Sequence, residues 1–90
     1  MRVAVMCHDK PDHLQTRLDN RAAHLEHIAA SGVVEMAGPF LSPEGAMTGS
    51  LLILNVDTLS QAQAWADADP YDKAGLFARV TIREWKKVVG

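Results

Sequence analysis

The periodicity of apolar positions divides the chain into six segments. Residues 2–8 are short and apolar, with Val3, Val5 and Cys7 on one face and Ala4 and Met6 on the other, the two-residue alternation of a strand. A 3.6-residue period follows, opened by Asp12 and Gln15 at capping-box spacing behind Pro11 and predicted to run to about Ala30. Ser31-Gly32 is the predicted stop, with Gly32 in the left-handed closing position. Within this helix Leu14, Leu18, Leu25 and Ile28 share one stripe, read as the buried one. Ala22 and Ala29 widen it on one side, and Arg17, Arg21 and His24 line the other.

Residues 33–39 predict a second strand, Phe40–Thr48 a loop turning at Pro43 and Gly45, and residues 49–56 a third strand. Thr58 and Gln61 form a second capping-box pattern, opening a helix from Leu59 to about Ala68 that Pro70 ends. Tyr71–Gly75 reads as one helical turn. Phe77–Val88, rich in β-branched and aromatic residues, reads as the last strand.

The resulting β-α-β-β-α-β order predicts a ferredoxin-like α+β fold: a four-stranded antiparallel sheet with two helices on one face. Ninety residues suffice for one such domain. Two helices cover only one face of the sheet, yet the third strand is apolar on both, with Leu51 and Ile53 on one and Leu52 and Leu54 on the other. The last strand reads similarly, with Val80 and Ile82 opposed to Phe77 and Trp85. A second copy of the chain is the economical cover, so a homodimer packed through its sheet faces is expected.

Composition narrows the function classes. The net charge is −2 and no basic patch stands out, which argues against nucleic acid as a partner. No run approaches the length of a membrane span and no signal-peptide pattern opens the chain, so a cytoplasmic location is the expectation. The single cysteine, Cys7, lies in an apolar strand and is read as a buried, inert thiol. Nucleophile-elbow, phosphate-loop and dinucleotide patterns are absent. Among His8, His13, His24 and His27, only His24 and His27 have a spacing that a helix brings together; no H-E-x-x-H pair exists, and neither a metal nor a cofactor is indicated.

The remaining chemistry gathers around His24. On the border of the helix stripe a histidine can exchange protons near neutral pH, and Arg17 and Arg21 on the same edge can hold an anionic group. A histidine doing such work needs a carboxylate to fix its tautomer. Asp69, at the rigid corner before Pro70, is the attractive partner, with Asp67 and Asp72 as competitors. The plainer reading is a surface histidine, snorkelling arginines and a helix-terminating aspartate.

Four segments resemble the YciI-like (YCII-related) family: Arg21-Ala22-Ala23-His24-Leu25, Ala37-Gly38-Pro39, Gly45-Ala46-Met47-Thr48-Gly49-Ser50, and Trp65 to Tyr71 continuing through Ala74-Gly75-Leu76 to Trp85-Lys86-Lys87-Val88. The resemblance implies a dimeric α+β barrel-type fold and a site centred on His24 and Asp69, with Arg21, Gly38, Pro39 and Ser50 around the same cleft. Arg17 lies outside the family pattern. A few proteins of the family that the chain resembles act on small ring compounds, removing halide or shifting protons. The expected function is thus a small cofactor-independent enzyme using a His–Asp pair for isomerisation, elimination or a hydrolysis-like step on an anionic or phenolic ring. The alternative is a non-catalytic small-molecule-binding or regulatory dimer using that cleft.

Overall fold

A computed structural model describes residues 1–90. The elements are β1 (Arg2–Asp9), α1 (Leu14–Ser31), β2 (Val34–Leu41), β3 (Met47–Asn55), α2 (Leu59–Asp67), the single turn α3 (Pro70–Lys73) and β4 (Phe77–Trp85). The strands lie in the order β2-β3-β1-β4 and every neighbouring pair is antiparallel, which is the ferredoxin-like arrangement. The central positions of β1 and β3 explain why both are apolar on two faces. On the helix side Val3, Val5, Cys7, Leu52 and Leu54 are sealed from solvent. They pack under Ala62, Trp65 and Ala66 of α2, with Ile28, Val34, Val80 and Ile82 half-buried around them.

Local sequence explains most element ends. The Thr58 hydroxyl accepts from the Gln61 backbone N–H at 3.2 Å, and the Thr58 N–H donates to the Gln61 side chain at 3.3 Å, so the capping box of α2 forms as predicted. Gly32 closes α1 with a φ of 67°. The start of α1 differs from expectation. Asp12 sits in the left-handed region of a turn at φ 61°, His13 occupies the cap position but its ring bonds back to the Pro11 carbonyl and makes no capping bond, and Gln15 donates to Asp19 at 2.7 Å instead of closing a box. The second and third strands also extend into the predicted loop. The turn between them is only residues 42–46, closed by the Ser42 hydroxyl accepting from the Ala46 N–H. The last strand ends at Trp85 rather than Val88.

Two face assignments are corrected. The leucine stripe of α1 is not buried: Leu14, Leu18 and Leu25 are 46%, 48% and 48% exposed, whereas Arg17 and His24 are buried. At about 100° per residue the buried edge, Arg17, His24 and Ile28, lies roughly 80° round the helix from the three leucines. The polar flank faces inward because each buried polar group finds a partner there, and a satisfied polar group can be buried at little cost. Phe77 also faces the helices rather than the open side of the sheet. The pairing of β1 with β4 slips between His8 and Asp9, and that irregularity turns Phe77 back onto the core.

The opposite face of the sheet carries an apolar patch of Ala4, Met6, Met36, Leu51, Ile53 and Trp85, with Met36, Leu51 and Trp85 exposed. No helix is long and apolar enough to cross a membrane.

Two glycines contrast in what they demand. A Cβ on Gly49 would collide with the Cys7 carbonyl where β3 approaches β1, whereas a Cβ on Gly38 meets nothing within 4 Å. Gly49→Ala is therefore expected to destabilise the fold by about 1–3 kcal/mol, and Gly38→Ala to stay within about 0.5 kcal/mol of wild type, in urea denaturation.

Candidate active site

Because α1 turns its polar edge inward, a cleft opens between α1 and the β2–β3 side of the sheet. Arg17, Arg21, His24, Leu25 and Ile28 form its helix wall, and Ala37, Gly38, Pro39, Met47, Ser50 and Leu52 its sheet wall, with Tyr71 as its floor. Its volume is about 160 Å³. A cavity of about 150 Å³ takes up one benzene molecule, so the space suits a single ring and not a nucleotide.

Asp69 is the pivot of the cleft. Pro70 stops α2 from continuing, and Asp69 becomes the cap of α3, its Oδ1 accepting from the Tyr71 backbone N–H at 3.0 Å. That oxygen also lies 2.8 Å from His24 Nδ1. Beside an ionised Asp69 carboxylate, which only accepts, Nδ1 is the nitrogen that carries a proton, and in the neutral ring Nε2 then has a lone pair. His24 Nε2 has no bond within the chain, yet no sealed side-chain polar atom lacks a partner, so Nε2 opens on the cleft. The competitors are elsewhere: Asp67 is exposed and accepts from Gln63, and Asp72 is exposed on the outer side of α3.

Tyr71 holds the imidazole from below. Its ring stacks on His24 with centroids 3.9 Å apart and planes within 12°, meets Phe77 edge-on, and lies 4.8 Å beneath the Arg17 guanidinium. Its hydroxyl lies beside the Arg17 guanidinium, donates to no group in the chain, and belongs to a ring that lines the cleft. Burial raises the Tyr71 phenol above its ordinary value, against the opposing pull of Arg17 and Arg21, so it stays a donor at neutral pH. Sequence placed Tyr71 only in a single helical turn. It is buried, but its stacking on His24 was not visible from spacing.

Arg17 is not free to hold a substrate by a two-pronged contact. Its Nε donates to Asp9 Oδ2 at 2.8 Å and its Nη2 to Asp9 Oδ1 at 2.9 Å and to Ser50 Oγ at 3.0 Å. Burial opposes its charge, but the hydrogen bonds and charge of Asp9 outweigh burial and raise its pKa further. Asp9 went unnoticed in the sequence. An acidic residue closing an apolar strand ahead of an arginine-bearing helix was the only available signal. Arg21, by contrast, is exposed at the cleft mouth with no ion-pair partner. Ser50 lies within β3, not at its start, and is buried. Ala37 and Pro39 pair with Leu52 and Ser50 and share their face, so they point toward the cleft. Gly38 pairs with Leu51 and offers the cleft only backbone. His8, His13 and His27 stay apart from His24, and no three His, Cys, Asp or Glu side chains gather as a metal site.

The YCII-related domain family matches residues 1–86. The protein YciI of Escherichia coli O6:H1 and that of Shigella flexneri are each 37% identical to the chain, across 98% of it and 99% of the relative. This chain belongs to the YCII-related family. Among solved structures, 5-chloro-2-hydroxyhydroquinone dehydrochlorinase from Burkholderia phenoliruptrix AC1100, in complex with 2,5-dihydroxybenzoquinone, superposes with a TM-score of 0.89 at 34% identity, covering 96% of this chain and 94% of that one. An antibiotic biosynthesis monooxygenase superposes with a TM-score of 0.60 at 10% identity, a likeness of fold alone. All four segments that carry the family resemblance contribute to the cleft, and Arg21-Ala22-Ala23-His24-Leu25 meets Asp69-Pro70-Tyr71 through the His24–Asp69 contact.

Cys7 lies just behind this site. Burial, with the nearby Asp69 charge adding to it, pushes its thiol from 9.0 up to about 12. Folded protein is therefore expected to resist iodoacetamide at pH 8 and to label in urea. Between about pH 9 and 12 the unfolded chain gives up the thiol proton that the folded chain keeps, so stability falls as pH rises. Cys7→Ala is expected to remove that part of the slope, at most about 1.4 kcal/mol per pH unit in denaturant titrations.

Proposed function

We propose that the cleft catalyses cofactor-independent proton transfer on a small hydroxylated ring compound, with His24 as general base and then acid. The observation that carries the reading is the His24 ring. Nδ1 is tethered to the buried Asp69 carboxylate, and the unpartnered Nε2 faces a ring-sized, half-apolar cleft whose other polar side chains carry donors. One acceptor sharing the cleft with the Tyr71 and Ser50 hydroxyls and the Arg21 guanidinium suits a substrate with a removable proton and an oxyanion.

In this reading Nε2 takes a ring hydroxyl proton. The freed electron pair passes into the ring, and the negative charge settles on a second ring oxygen held by the donors. The proton then returns to a ring carbon, which is an isomerisation. Where that carbon bears a leaving group, Nε2 then takes the proton of a second ring hydroxyl; that oxygen becomes a carbonyl, its electron pair shifts through the ring, and the group departs with its bond pair, for a net loss of H⁺ and an anion. Asp69 orients His24 and stabilises its cation. Gly38 and Pro39 shape the sheet wall. The dehydrochlorinase likeness favours elimination within this scheme, because the ring bound there is of the size and polarity the cleft accommodates.

Chloride release from 5-chloro-2-hydroxyhydroquinone and a panel of related ring compounds tests the scheme. His24→Ala is expected to lower turnover by roughly 10²–10⁴-fold, while Asp67→Asn and Asp72→Asn stay within about twofold of wild type. Full turnover by His24→Ala, or no wild-type turnover across the panel, contradicts it.

A homodimer through the open sheet face belongs to the same reading, supported by the exposed apolar patch around Leu51, Met36 and Trp85. Wild type is expected to show twice the chain mass by light scattering at micromolar concentration, and Leu51→Asp to show a folded monomer.

A further inference from the structure

Ser50 carries a proton with nowhere to go inside the chain. Its Oγ accepts from Arg17 Nη2 at 3.0 Å, and the hydroxyl donates to no protein group. With an N–H aimed at its oxygen, the hydroxyl hydrogen must turn away from Arg17. Ser50 is buried and lines the cleft, so the direction left open is toward whatever the cleft holds.

Arg17 cannot swing away from this contact. Asp9 grips it through two bonds of 2.8 and 2.9 Å, and both side chains are more than nine-tenths buried. Three elements meet in this arrangement: Asp9 ends β1, Arg17 is in the first turn of α1, and Ser50 lies on β3 opposite Cys7 of β1. The pair is internally neutralised, so it adds no net charge for an anionic substrate. Its consequence for the cleft is directional.

We propose that Asp9 and Arg17 are positioning residues that lock the Ser50 hydroxyl as a hydrogen-bond donor toward an anionic oxygen of the bound ring. The proposal rests on the reading of the cleft as a ring-compound site. A donor with a fixed direction costs no reorientation when charge develops on its acceptor, which is what a developing oxyanion needs. It also sets specificity, because a ring bearing a hydroxyl or halogen in place of the anionic oxygen leaves the Ser50 donor poorly matched.

The test is a double-mutant cycle on affinity for 2,5-dihydroxybenzoquinone, measured by calorimetry. In the wild-type background Ser50→Ala is expected to weaken binding about tenfold or more, as loss of a hydrogen bond to a charged group does, and Ser50→Thr to keep it within about threefold. In an Asp9→Leu/Arg17→Met background, which removes both buried charges together, the hydroxyl is free to rotate. There Ser50→Ala is expected to cost less than about twofold. If the apolar pair does not fold, Arg17→Lys, which keeps the charge beside Asp9 but loses the fork, gives the same comparison. Equal losses from Ser50→Ala in both backgrounds overturn the proposal and leave Asp9–Arg17 as a structural ion pair, with the ring-site reading intact. If wild type binds neither this quinone nor any other ring of the panel, the ring-site reading itself fails and the proposal with it.

Discussion

One carboxylate oxygen, Asp69 Oδ1, accepts from the Tyr71 backbone and lies within hydrogen-bond distance of His24 Nδ1, and the geometry of the cleft follows from that double contact. The backbone bond makes Asp69 a helix cap, so its position is set by the chain reversal at Pro70 and not by the histidine. His24 is then held by a group that is itself already held. Capping α3 also brings the Tyr71 ring under the imidazole at 3.9 Å. Moving Asp69 would shift the imidazole, its stacking partner and the Tyr71 hydroxyl together.

The same constraint accounts for the setting of α1. A helix docked by its leucines would lie flat on the sheet and close the cleft. Here the buried edge is anchored by Arg17 to Asp9 and by His24 to Asp69, which leaves Leu25 beside the opening and Leu14 and Leu18 in solvent contact. Buried ion pairs of this kind contribute little net stability, because desolvation offsets most of their attraction. Their effect is on where the helix sits, and in this chain the position of the helix creates the site.

The order of elements along the chain, the second capping box and the Gly32 stop were legible because each depends on local pattern: alternation, a four-residue signature and a residue suited to left-handed backbone. The meeting of His24 and Asp69 was readable as a candidate because fold topology puts both helices on one face, and family resemblance singled out the two residues. What could not be read was which edge of α1 points inward. Apolar periodicity assumes that polar groups stay outside, and Asp9, which reverses the choice for Arg17, lies eight residues away on another element. Phe77 was misassigned for a similar reason, since a slip in strand pairing between His8 and Asp9 leaves no mark in the alternation of β4. The Tyr71 stack depends on the cap at Asp69, a feature of three-dimensional corner geometry.

The central claim is that Asp69 fixes the proton on His24 Nδ1 and leaves Nε2 as a bare acceptor facing the cleft. Long-range ¹H–¹⁵N correlation of the neutral His24 ring reads this directly. The account predicts a protonated Nδ1 and an unprotonated Nε2 whose signal moves when 2,5-dihydroxybenzoquinone is added. A proton on Nε2, or an Nε2 signal indifferent to every ring compound tried, would contradict it.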